Sequence, residues 1–113
     1  MTVADYIRGK FQPFGINLSE ADLYDICKPI NIIFDIEDME DLDTTDYNRL
    51  MIAIVQFIPT LLLRATSKSV SENGHSKSQS WDVSGIKEYY AFLCKKYGLD
   101  DELNTDKPKV RFL

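Results

Sequence analysis

The sequence predicts a mainly α-helical protein, a small bundle of about four to five helices, with a Ser-rich β-hairpin or loop between the last two long ones. Three observations carry this prediction. Apolar residues recur at helical spacing in several stretches. Capping and stop residues bracket those stretches. Between the last two lies a serine-alternating segment, 67–80, centred on Asn73-Gly74.

The first helix is expected from Val3 to about Phe14, with Val3, Tyr6, Ile7, Phe11 and Phe14 on one stripe. Thr2 is placed to cap it, Pro13 argues for an early or distorted end, and Gly15 supplies a left-handed stop. The second opens at Ser19, with Asp22 three residues later in a capping-box arrangement. Leu23, Ile26 and Cys27 form its inner face, and Pro29 ends it. The run Ile30, Ile32, Ile33, Phe34 and Ile36 fits a short strand, an extended connector or a short helix.

Seven acids follow between Asp35 and Asp46. A calcium loop of the EF-hand type needs Gly at its sixth position and Glu at its twelfth, and no glycine lies in this run. The run is expected to be a solvated acidic turn that sets negative charge before the next helix N-terminus. Thr44 or Thr45 is the expected cap of that helix. Its stripe of Tyr47, Leu50, Met51, Ile54, Val55, Ile58, Leu61 and Leu62 marks it as the central element, running to about Thr66. Pro59 falls inside it and predicts a kink or a break near Val55 to Ile58. The last helix opens at Asp82 or Ser84, buries Ile86, Tyr89, Tyr90, Leu93 and Tyr97, and stops at Gly98.

The segment "SKSVSENGHSKSQSW" alternates serine with Lys68, Val70 and Glu72 before Asn73-Gly74 and with His75, Lys77 and Gln79 after it. Neither face is apolar, so a hairpin here has nothing to hold it on its own core, and a flexible linker competes with it. Trp81 is expected to anchor the base of the segment against the core. Residues 1–100 form the expected domain and 101–113 a tail. In the tail, Lys109, Arg111, Phe112 and Leu113 combine charge with apolar ends, as a docking peptide would.

Length and composition bound the function. The chain has 113 residues, which suits one domain, and 44% of them are apolar, a globular composition. The net charge of −5 is poorly suited to wrapping nucleic acid, which needs clustered Lys and Arg. His75 is the only histidine and lies in the polar serine segment, away from any nucleophile. No Cys/His spacing suggests a metal, no Gly-rich phosphate loop occurs, and Cys27 and Cys94 read as buried free thiols. No catalytic residue, cofactor, metal or small-molecule substrate is expected. The apolar run 50–63 is interrupted by Gln56, Pro59 and Thr60 and is too short to span a bilayer, so no membrane partner is expected. Without a signal-peptide pattern at the start, the cytoplasm is the expected place of synthesis.

The order of elements resembles the small head–tail connector (adaptor, or head-completion) proteins of tailed phages. The resemblance rests on the long apolar helix "YNRLMIAIVQFIPTLLL", on the pattern S-x-S-x-x-G-x-S-x-S at Ser69, Ser71, Gly74, Ser76 and Ser78, and on a closing helix ending in Tyr97-Gly98. It implies a non-enzymatic virion assembly protein of a phage or prophage, one that forms a ring with copies of itself and bridges portal and tail proteins. It implies residence in the virion once assembled and in the bacterial cytoplasm before. Under that reading Ser69, Ser71, Asn73, Gly74, Ser76, Ser78 and the tail residues Lys109, Arg111, Phe112 and Leu113 would contact the partners. The alternative is a small acidic cytoplasmic helical module that binds or regulates another protein.

Overall fold

The computed structural model describes residues 1–72 and 81–103, with side chains up to 64 and from 81 onward. Four α-helices make up the described fold: α1 Val3–Phe11, α2 Glu20–Cys27, α3 Thr44–Glu72 and α4 Val83–Tyr97. The mainly helical class is therefore the observed one. Short 3₁₀ turns at Gln12–Phe14, Lys28–Ile30 and Met39–Asp41 join them.

Each boundary has a local chemical cause. Thr2 is extended, and its hydroxyl accepts from Asp5 N–H at the start of α1. α1 ends at Phe11, earlier than the apolar stripe predicts, because Pro13 tightens the next turn to 3₁₀. The α2 start is a full capping box: Asp22 N–H donates to Ser19 Oγ and Ser19 N–H donates to Asp22 Oδ2, both at 3.1 Å. α3 is capped by Asp43 instead of Thr44 or Thr45, its Oδ1 accepting from Asp46 N–H at 2.8 Å. A carboxylate there also meets the positive end of the helix dipole. Asp82 caps α4 through Gly85 N–H at 2.9 Å.

α4 ends at Gly98, whose φ of +69° is the left-handed conformation that costs a side-chain-bearing residue about 1–2 kcal/mol. A Cβ at that position would meet no atom within 4 Å. Gly98→Ala should therefore cost only this backbone strain, about 1 kcal/mol, readable as a small shift in the urea midpoint with unchanged slope.

α3 runs unbroken through Pro59. Proline lacks the N–H and crowds the carbonyl of Val55, but Val55, Ile58, Leu61 and Leu62 are all buried around it, and that packing holds the helix together. α3 also extends beyond the expected end, to Glu72. This corrects the first arm of the expected hairpin: residues 67–72, with Ser69 and Ser71, are helical. Extending an established helix gains a hydrogen bond for each residue fixed, and Lys and Glu are good helix formers. Asn73, Gly74, His75, Ser76 and Ser78 lie outside the described residues.

The core lies where α1, α2 and α4 converge on α3. It joins Val3, Ile7 and Phe11 of α1, Leu23 and Ile26 of α2, Leu50, Met51, Ile54, Val55, Ile58, Leu61 and Leu62 of α3, and Ile86, Tyr90 and Leu93 of α4. Trp81 is half-buried against this cluster, and Asp82 N–H donates to the Phe14 carbonyl at 2.8 Å, fixing the start of α4 to the α1 turn. The body continues past Tyr97: Glu102 N–H donates to Tyr90 Oη at 3.1 Å, and Leu103 packs on the core.

Candidate functional site

The predicted contact residues fall in two places. Ser69 and Ser71 stand on the last turns of α3. Asn73, Gly74, Ser76, Ser78, Lys109, Arg111, Phe112 and Leu113 lie outside the described residues. The described surface offers a different feature, an open groove of about 750 Å³ between α2 and residues 31–35.

Local sequence builds this groove. After Pro29, Asn31 takes a left-handed conformation, φ 59°, and turns the chain back along α2. Ile32 then points into the core, 7% exposed. Its neighbour Ile33 is consequently turned outward, 57% exposed, facing Tyr24 of α2 at 52%. Ile30 closes the Lys28–Ile30 turn, and residues 31–36 then form neither the strand nor the helix considered above but a connector with turns.

The connector is held from behind. Ala4 N–H donates to the Phe34 carbonyl at 2.9 Å and Val3 N–H to the Glu37 carbonyl at 3.0 Å. These are N–H groups of the first turn of α1, which have no partner within their own helix. The α1 N-terminus and the groove wall therefore satisfy one another.

The groove is apolar with an acidic rim. Tyr24, Ile33 and Phe34 line it, and Glu20, Asp25 and Asp35 stand around it, all three exposed. Lys28 is the one base on the rim; its Nζ sits 5.4 Å from the centre of the Tyr24 ring, a cation–π contact. Ile36, Leu63 and Phe92 are further large apolar side chains left in water, at 60–73% exposure.

Three acids of the run act as caps or turn closures. Asp43 caps α3, and Glu37 Oε1 accepts from Ile33 N–H. Asp38 accepts from Glu40 N–H and pairs with the Met1 ammonium at 3.1 Å; those two contacts lower its carboxyl pKa. Among the described residues no group of three or more His, Cys, Asp or Glu is arranged to hold a metal ion. A smaller cleft joins α3 to α4 and contains Gln56, Tyr90, Cys94 and Glu102. Burial pushes the Tyr90 hydroxyl up to about 12 and raises the Cys94 thiol as well, so both stay protonated at neutral pH.

Cys27 is free and buried, and burial with Glu37 nearby pushes its thiol up to about 11. Thiolate is the reactive form. Native-state alkylation of Cys27 at pH 8 should be at least about 100-fold slower than in urea, measured by mass spectrometry of the labelled peptide. The same shift has a stability sign. Below the free-thiol range both states hold the proton and stability does not change. As pH rises toward 11 the unfolded chain releases it first, so stability falls.

Sequence reasoning missed the groove because it depends on which of two adjacent isoleucines is buried. The usable signal was the Pro29–Asn31 turn followed by an apolar run with no period of its own. No curated protein and no solved structure matches the chain. A family model does, over residues 1–112, and by that match the chain belongs to a family of unknown function (DUF6706).

Proposed function

We propose that this protein is a non-enzymatic assembly component, an adaptor of the head–tail connector type that joins portal to tail as a ring of identical copies in a phage or prophage-derived particle. The observation that supports it best is the open apolar groove at Tyr24 and Ile33, both more than half exposed. Surface of this kind, rimmed by polar groups, is characteristic of protein contact sites. The serine pattern and the Tyr97-Gly98 close of α4 add the connector resemblance.

Electron microscopy of the protein mixed with a purified portal from the same genome tests this. Rings seated on the portal are expected. A chain that stays monomeric at high concentration, with and without portal, would sink the proposal. The second reading, an acidic helical module that binds or regulates another cytoplasmic protein, draws on the same groove and on the net charge of −5. Neighbouring portal, capsid or tail genes would favour the adaptor over it.

A further inference from the structure

We propose that the groove between α2 and residues 31–35 receives the C-terminal segment, 104–113, of a second copy of this chain. The inference rests on the assembly reading and names its contact.

Charge and shape supply the first argument. The segment reads "NTDKPKVRFL": Lys107, Lys109 and Arg111 against one acid, Asp106, a side-chain net of +2. The groove rim carries Glu20, Asp25 and Asp35 against one base, Lys28, a net −2. The segment ends in Val110, Phe112 and Leu113, and the groove floor is Tyr24, Ile33 and Phe34. Each side therefore offers what the other lacks: cations interleaved with apolar groups, and an apolar floor between carboxylates. Charge pairs of this kind set register and speed encounter, while the buried apolar ends supply most of the affinity.

Reach supplies the second. The described body ends at Leu103, beside α4, and the groove belongs to α2, with α3 as the element that both α2 and α4 pack against. Ten residues span at most about 33 Å when fully extended. The described body measures 41 × 41 × 21 Å, so an extended segment of this length can cross much of one copy and reach onto a neighbour. A neighbouring copy set head to tail would place its groove before the segment. A contact of this heterologous kind also closes into rings.

Charge exchange between full-length chains tests the proposal. One variant carries Lys107→Glu, Lys109→Glu and Arg111→Glu; the other carries Glu20→Lys, Asp25→Lys and Asp35→Lys. Circular dichroism first confirms that both melt as the parent does. In analytical ultracentrifugation the parent should self-associate, each variant alone should associate at least about tenfold more weakly, and an equimolar mixture should recover association. Phe112→Ser should weaken the parent's association without reversing any charge.

Three results would overturn the proposal: a parent that is monomeric at every concentration, variants that associate as the parent does, or a mixture that stays monomeric while one chain carrying all six changes is compact. The last result would place the segment on its own groove. The portal experiment scores the adaptor reading separately, because binding to a portal does not require this groove.

Discussion

Phe11→Ala is expected to lower stability by about 3–5 kcal/mol, the usual cost of emptying a fully buried phenylalanine site. Phe11 is completely buried where α1 meets the Gln12–Phe14 turn, and Ile16 N–H donates to its carbonyl as the chain folds back. Removing the ring leaves a cavity that this joint cannot close without shifting α4, because Asp82 is bonded to Phe14. For a domain of this size the melting temperature should fall by roughly 15 °C or more. Phe11→Leu retains most of the volume and should cost less than about 1.5 kcal/mol. By contrast, Phe92→Ala and Leu63→Ala should stay within about 0.5 kcal/mol of the parent, since both side chains face water. A melt of Phe11→Ala within two or three degrees of the parent would disprove the packing described here.

Asp22→Ala is the second large effect, expected at about 1.5–3 kcal/mol by urea denaturation. Asp22 is the one charged residue buried among the described side chains, at 5% exposure. Its carboxylate accepts from Ser19 N–H and from Arg64 Nη1 of α3, the latter at 3.1 Å. Alanine strands the Ser19 N–H and unties α2 from α3. Asp22→Asn keeps an acceptor for Ser19 and loses the ion pair, so it should fall between the two. Arg64→Met tests the other partner. The two positions should couple in a double-mutant cycle by more than about 0.5 kcal/mol, and additivity would show that the pair contributes nothing beyond the cap.

What the sequence made legible was local chemistry. Ser19 with Asp22, Asp82 before α4 and Gly98 after it all act within one helical turn of their own position, so residue type and spacing suffice to find them. The stripe of α3 was legible for the same reason. Most of what escaped depends on partners far along the chain; the cap of α3 is the exception, a contact over three residues. Asp43 outcompetes Thr44 and Thr45 as the cap, although all three are capping types. Residues 34–37 take their form from Val3 and Ala4 of α1, thirty or more positions earlier. Arg64 reaches back to Asp22 across forty-two positions. The serines of 67–72 pointed to a turn because Asn73-Gly74 follows them, whereas a helix already nucleated upstream absorbs them at little cost.

The length of α3 has a geometric consequence. Its last core residue among the described side chains is Leu62, yet the helix continues to Glu72. Those further residues make a shaft about 15 Å long, at 1.5 Å rise and 100° of turn per residue. The shaft sets a phase as well as a height. One residue inserted between 65 and 72 would swing the exit of the chain by about 100°, nearly to the side of the bundle, whereas removing seven would return it to within about 20° of its bearing and draw it in by about 10 Å. The bearing at which α3 hands the chain on after Glu72 is therefore set by the helical register of α3.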